Sequence, residues 1–137
     1  MNIPNKIKLF FDGSCVGKNP GGIAGFAWRI LDENNIELFS DHGEVCRGPN
    51  ATNNVGEWAA VTNGLLFLKK QNWKGSLSIF GDSQLVIRQL NGEYAVRKET
   101  LLPYYKQSIN LLQNLQWTAT WVPREQNKDC DKLSRKS

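Results

Sequence analysis

Residues 6–31 read KIKLFFDGSCVGKNPGGIAGFAWRIL and predict two strands joined by a turn. Apolar and polar side chains alternate along residues 6–12, which is typical of a strand with one buried face, and this strand is predicted to end at Asp12. A glycine-rich turn is predicted over 13–22. The nearly continuous apolar run of residues 23–31 then predicts a buried strand.

The rest of the chain is predicted to add one more strand and then to alternate helices with strands. Apolar residues at helical spacing favour a long helix, which Thr52 or a neighbouring asparagine can cap. The predicted elements are a third strand over 36–47, the long helix over 51–70, a strand over 77–82, helices over 83–92 and 100–114, a strand over 116–122 and a terminal helix over 127–136. This order predicts an α/β fold with a five-stranded mixed sheet flanked by helices, and residues 1–137 are expected to form a single domain.

The composition is that of an ordinary folded protein, with 40% hydrophobic and 22% charged residues, and it argues against a disordered or fibrous chain. The net charge of +4 fits a polyanionic partner without establishing one. No stretch approaches the roughly 20 apolar residues of a membrane span. The three cysteines lack metal-ligand spacing, which favours a reducing compartment. We therefore expect a cytoplasmic protein without membrane attachment, and a monomer by default.

Two acids are predicted to lie where strands end, Asp12 after the first strand and Asp82 after the fourth. If these strands are parallel neighbours, both carboxylates emerge at one edge of the sheet, where ligand sites of α/β folds lie. Glu57 lies in the first turn or two of the long helix, and Asp131 lies on the last helix. Gathered carboxylates need cations, and hard oxygen ligands suit Mg²⁺ or Mn²⁺. A single acid is more often an exposed charge, so the pattern alone leaves this site open.

Four motifs, in order along nearly the whole chain, then resemble those of type 1 ribonuclease H. They are DGSCVGKNPGGIAG at 12–25, TNNVGE at 52–57, DSQ at 82–84 and NKDCDKLS at 127–134. The resemblance implies the ribonuclease H fold and an endonuclease that hydrolyses the RNA strand of RNA–DNA hybrids with two Mg²⁺ ions, with Mn²⁺ able to substitute. The implied products carry a 5′-phosphate and a 3′-hydroxyl. The implied metal ligands and catalytic acids are Asp12, Glu57, Asp82 and Asp131.

The resemblance also implies which residues contact the hybrid. Amide side chains can donate to and accept from 2′-hydroxyls and base edges, although asparagine is equally at home in turns and caps. The implied contacts are the side chains of Asn19, Asn53, Asn54 and Gln84 and the backbone of Gly13, Ser14 and Cys15.

The sequence departs from the family pattern at two places. Many members carry a histidine in the loop before the last acid, but here that loop reads WVPREQNKDCD, and Arg124 is the predicted substitute, with Glu125 second. The only histidine, His42, is expected on the surface or at the sheet edge. The long basic protrusion of some members is also missing, and Arg97, Lys98 and Lys106 offer only scattered positive charge.

Two other functions stay open at this point. One is a hybrid-binding module without catalysis, which the four retained acids argue against. The other is a nuclease of the same fold that prefers duplex RNA. The five tryptophans are interpreted as mainly structural.

Overall fold

The computed structural model describes residues 2–136 and contains the predicted succession of strands and helices. The elements are β1 (Lys6–Val16), β2 (Ile23–Leu31), β3 (Glu37–Arg47), α1 (Asn53–Lys70), β4 (Ser76–Gly81), α2 (Gln84–Leu90), α3 (Leu102–Leu112), β5 (Gln116–Trp121), a 3₁₀ turn (Arg124–Gln126) and α4 (Lys128–Ser134). Within this range, no helix is both long enough and apolar enough to cross a bilayer.

The strands form one mixed five-stranded sheet in the order β3-β2-β1-β4-β5. The first three strands are antiparallel neighbours, whereas β4 runs parallel to both β1 and β5. The predicted α/β fold with a mixed sheet is therefore confirmed. Asp12 and Asp82 were expected at one edge of the sheet if the first and fourth strands are parallel neighbours. The parallel pairing of β1 with β4 meets this condition.

The ends of two strands differ from the prediction. β1 does not end at Asp12 but runs on to Val16, because Gly13 pairs with Phe26 and Cys15 with Ala24 in the hairpin with β2. The small residues that predicted a turn thus lie partly inside a strand. β4 ends at Gly81, so the carboxylate of Asp82 follows the strand rather than closing it.

The core lies between the sheet and α1, which packs mainly on β1 and β2. Leu9 and Phe11 of β1 have no exposed surface, and Trp58 of α1 is equally buried. Each such apolar side chain contributes about 1.5–3 kcal/mol on burial. The Thr52 side chain accepts a hydrogen bond from the Val55 backbone N–H at 3.1 Å, which confirms the predicted cap and fixes where α1 begins.

Candidate active site

Three acids from separate elements converge at one end of the parallel strands. Asp12 comes from within β1, Glu57 from the first turns of α1, and Asp82 from the residue after β4. Each offers a carboxylate oxygen, and these oxygens all lie within 4.8 Å of one another. The structure therefore brings together three of the four predicted acids in a geometry that could hold a metal ion.

Two glycines allow α1 to approach the sheet this closely. A β-carbon on Gly13 would lie 2.1 Å from the backbone nitrogen of Glu57, and one on Gly56 would lie 2.3 Å from the carbonyl oxygen of Gly25. Neither position tolerates a side chain without moving the helix. Gly13 was predicted to lie in a turn, and its role in bringing Glu57 to Asp12 is visible only once β1 and α1 are packed together.

Burial and mutual repulsion shift the ionisation of the buried pair. The pKa of Asp12 is raised from 3.8 to about 8 by burial and by the negative charge of Asp82. The pKa of Glu57 is raised well above its usual value, again first by burial and then by Asp12. The hydrogen bond between the two carboxyl groups raises the pKa of Glu57 and lowers that of Asp12, so Glu57 is its donor. Oε2 of Glu57 is buried and has no hydrogen-bond partner among the described residues.

Asp131 lies beside this group rather than within it. It helps to raise the pKa of Asp12, so the two carboxylates are close, yet Oδ1 of Asp131 lies 3.3 Å from Nε of Arg135. The neighbouring Asp129 points elsewhere, with its Oδ2 3.5 Å from Nη1 of Arg29. Of these two acids on α4, Asp131 is the one close enough to join the site.

Asn127 holds Asp82 in place, a contact that the sequence analysis missed. Its Nδ2 donates to the carbonyl oxygen of Phe11 at 2.9 Å and lies 3.4 Å from Oδ1 of Asp82. The residue is only 2% exposed. The one available signal was a polar residue at the start of the last helix, which ordinarily indicates a cap, but Asn127 makes no side-chain cap hydrogen bond.

Two further side chains contact Asp82 from its solvent side. Nε of Arg124 lies 3.5 Å from Oδ2 of Asp82, while the Arg124 side chain stays 79% exposed. The indole N–H of Trp121 donates to the backbone oxygen of Asp82 at 3.2 Å, and this ring is 43% exposed, so Trp121 lies at the rim of the site. Glu125 is exposed on the same turn, and His42 lies on the edge strand β3 as expected.

The residues predicted to contact a hybrid occupy both sides of this acidic group. Nδ2 of Asn19 donates to Oδ1 of Asn53 at 3.0 Å, which joins the β1–β2 turn to the start of α1. Asn54 is half-buried and Gln84 is exposed. The Ser14 side chain points inward and donates to the carbonyl oxygen of Ser134 at 3.1 Å, so only its backbone is a candidate for contact. The half-buried Gly13 and Cys15 flank it along β1.

Known proteins resemble this chain in sequence and in fold. The family model described as "Reverse transcriptase-like" matches residues 10–137. A ribonuclease H of Campylobacter concisus is 30% identical over 146 residues, covering 94% of this chain and 90% of that protein. The chain spans about a third of the mycobacterial relatives that it matches, such as the bifunctional protein Rv2228c of Mycobacterium tuberculosis, of which it covers 34% at 28% identity.

Solved structures extend the likeness to the whole fold. The N-terminal RNase H domain of Rv2228c matches with a TM-score of 0.86 at 29% identity, over 97% of this chain and 93% of that one. LC11-RNase H1, solved in complex with an RNA/DNA hybrid, matches with a TM-score of 0.84 over 96% of this chain and 95% of that one. At 24% identity, this second match shows the fold alone. With a family match over residues 10–137 and a relative of 30% identity that is covered over 90% of its length, the chain belongs to the ribonuclease H family.

Proposed function

We propose that this chain is an endoribonuclease that hydrolyses the RNA strand of RNA–DNA hybrids and leaves 5′-phosphate and 3′-hydroxyl ends. The observation that carries the proposal is the group of Asp12, Glu57 and Asp82, with carboxylate oxygens within 4.8 Å of one another. The name of the Campylobacter concisus relative supports the nuclease activity. The preference for a hybrid rests on the resemblance of the four motifs.

The acidic group suits two hard divalent cations. Its carboxylates repel one another when ionised, and the buried Oε2 of Glu57 has no partner among residues 2–136. Asp12, Glu57 and Asp82 would hold the cations, and Asp131 would complete the set from α4. Bound there, Mg²⁺, or Mn²⁺ in its place, would supply activation of the attacking water and stabilisation of the leaving oxygen of the phosphodiester.

The remaining side chains position Asp82 and the hybrid. Asn127 and Arg124 contact opposite oxygens of Asp82, at 3.4 Å and 3.5 Å, which restricts the rotation of that carboxylate. Arg124 is also exposed enough to reach a phosphate. The Asn19–Asn53 pair presents amide groups at the start of α1. These amides would contact the 2′-hydroxyls in the minor groove of a bound hybrid.

The test compares cleavage of a hybrid, a duplex RNA and a single-stranded RNA of one sequence, with Mg²⁺, with Mn²⁺ and with a chelator. We expect cleavage of the RNA strand of the hybrid, none with the chelator, and loss of at least about a thousandfold in rate for Asp82→Asn. Wild-type turnover by Asp82→Asn would refute the site. Binding of the hybrid without cleavage in either metal would favour a silent binding module, and faster cleavage of duplex RNA would change the substrate class.

A further inference from the structure

The helix that carries Asp131, α4, is fixed to the sheet at both of its ends. At its start, Nδ2 of Asn127 donates to the carbonyl oxygen of Phe11 at 2.9 Å. At its end, the buried hydroxyl of Ser14 donates to the carbonyl oxygen of Ser134 at 3.1 Å. Phe11 and Ser14 both belong to β1, so one strand holds both ends of the helix.

The helix has little of its own to hold this position. It is seven residues long, and helices shorter than about 12–15 residues are marginal without tertiary contacts. The last four carbonyl groups of a helix have no partner within it, and the carbonyl group of Ser134 is one of these. Because the hydroxyl of Ser14 supplies the missing donor, loss of this hydrogen bond would loosen the last turn of α4.

A short run of hydrogen bonds connects Ser14 to Asp131. The hydroxyl of Ser134, whose carbonyl accepts from Ser14, donates to the backbone oxygen of Asp131 at 2.8 Å. The carboxylate of Asp131 has two neighbours: it is close enough to raise the pKa of Asp12, and its Oδ1 lies 3.3 Å from Nε of Arg135. A small rotation of this last turn would therefore move the carboxylate away from the acidic group and toward the arginine.

The strand around Ser14 has a neighbouring strand on one side only. β4 pairs with β1 as far as Phe10, whereas β2 pairs with β1 as far as Val16. Among the described strands, residues 11–16 of β1 thus pair with β2 alone. The backbone of residues 13–15, which the proposed function places against the RNA strand, lies within this stretch.

We propose that Ser14 is a positioning residue that couples contact of the RNA strand with β1 to the placement of Asp131. This role rests on the proposed function, because it concerns the same site and the same substrate. An RNA strand against the backbone of residues 13–15 restricts the Ser14 side chain, which then holds the last turn of α4 more firmly and keeps the Asp131 carboxylate beside Asp12. Coupling of this kind is reciprocal, so Mg²⁺ at the acidic group would also tighten binding of the hybrid.

Amide hydrogen exchange in a chelator tests this coupling without cleavage. The probe is the backbone N–H of Asp131, which donates to the carbonyl oxygen of Asn127 at 3.0 Å and exchanges when α4 opens. With saturating hybrid, we expect exchange of this amide in the wild type to slow by about fivefold, the size expected for one buried hydrogen bond. Ser14→Ala should lose this response but still bind the hybrid, because its backbone is unchanged.

Ser108→Ala is the matched control. Ser108 lies on α3 and is also buried, and its hydroxyl lies 2.8 Å from Oγ1 of Thr62 on α1. Both variants lose one buried hydrogen bond and should lose stability, but Ser108→Ala should keep the response of the Asp131 amide. In cleavage assays, only Ser14→Ala should need about fivefold more Mg²⁺ for half-maximal rate.

Two results would overturn the role of Ser14. One is slowing of the Asp131 amide by the hybrid to the same extent in Ser14→Ala and in the wild type. The other is loss of the response in Ser108→Ala as well, which would make the effect one of stability alone.

The coupling and the proposed nuclease function can fail separately. A hybrid that is cleaved in Mg²⁺ but does not slow exchange of the Asp131 amide in the wild type would remove the coupling and leave the nuclease function standing. A hybrid that slows this exchange through Ser14, yet is not cleaved in Mg²⁺ or Mn²⁺, would do the reverse. A hybrid that does not bind at all would overturn both.

Discussion

A β-carbon at Gly13 would lie 2.1 Å from the backbone nitrogen of Glu57, so the absence of a side chain in β1 sets how close α1 comes to Asp12. Separations below 3.0 Å are essentially never found for real β-carbons, and the opposing atoms here belong to helix backbone rather than to a flexible side chain. The geometry of the acidic group therefore depends on a glycine that takes no part in its chemistry.

Replacement of Gly13 by alanine should be severely destabilising. The helix would have to move away from β1, and we expect a loss of about 2–4 kcal/mol in the free energy of unfolding, measured by urea denaturation. Hybrid cleavage should fall as well, because Glu57 would move away from Asp12.

Gly48→Ala is the matched control for this change. Gly48 has a φ of +92° and nothing within 4 Å of its would-be β-carbon, so alanine there costs only about 1 kcal/mol of backbone strain. Equal losses of unfolding free energy for the two variants would mean that the contact between Gly13 and α1 does not set the distance between α1 and β1.

Sequence patterns predicted the order of elements, because this order depends on local periodicity. They also predicted that Asp12 and Asp82 share one edge of the sheet, although Asp12 lies within β1 rather than at its end. Sequence patterns could not place Gly13 within β1, because small residues occur both in turns and in strands that lie under a packed helix. Asn127 was missed for a related reason. Its partners are Phe11 and Asp82, which are more than 40 residues away in the chain, so no local pattern reports the contact.

Without divalent cations, stability should fall as the pH rises. The pKa of Asp12 is about 8 in the folded chain and about 3.8 when unfolded, so the folded state binds the extra proton between these values. A raised carboxyl pKa contributes stability that is complete below about pH 4 and is lost as the pH rises toward 8. We expect the free energy of unfolding, measured in the presence of a chelator, to fall by about 2–4 kcal/mol between pH 5 and pH 8.

Millimolar Mg²⁺ should reverse most of that loss at pH 8, because cations stabilise the ionised carboxylates. Asp12→Asn should flatten the pH dependence and weaken the stabilisation by Mg²⁺. Metal-free stability that stays constant or rises between pH 5 and pH 8 would contradict the raised pKa of Asp12.

Asn127→Ala should lower the free energy of unfolding and leave the Asp82 carboxylate less firmly oriented. The change leaves the carbonyl oxygen of Phe11 without its donor, at a cost of about 1–3 kcal/mol in unfolding free energy. Because Asn127 acts through Asp82, we also expect a higher Mg²⁺ concentration for half-maximal cleavage. Gln89→Ala is the control, since that buried amide accepts from Trp58 Nε1 at 2.8 Å. Both variants should lose stability, but only Asn127→Ala should need more Mg²⁺. If Gln89→Ala also needs more Mg²⁺, the effect of Asn127→Ala comes from lost stability and not from its contact with Asp82.

Arg124→Ala should reduce cleavage while barely changing stability. Its side chain is 79% exposed and its contact with Asp82 is long at 3.5 Å, so the ion pair itself contributes less than about 1 kcal/mol. We expect kcat/KM for the hybrid to fall about tenfold through the loss of a cation beside the acidic group, with partial recovery in Arg124→Lys, which keeps the charge but not the planar fork.

Lys6→Ala is the control, because Lys6 is an exposed cation about 20 Å from Asp12 along β1. If Lys6→Ala and Arg124→Ala lower kcat/KM equally, the contribution of Arg124 is general attraction of the polyanion, and its place beside Asp82 is incidental.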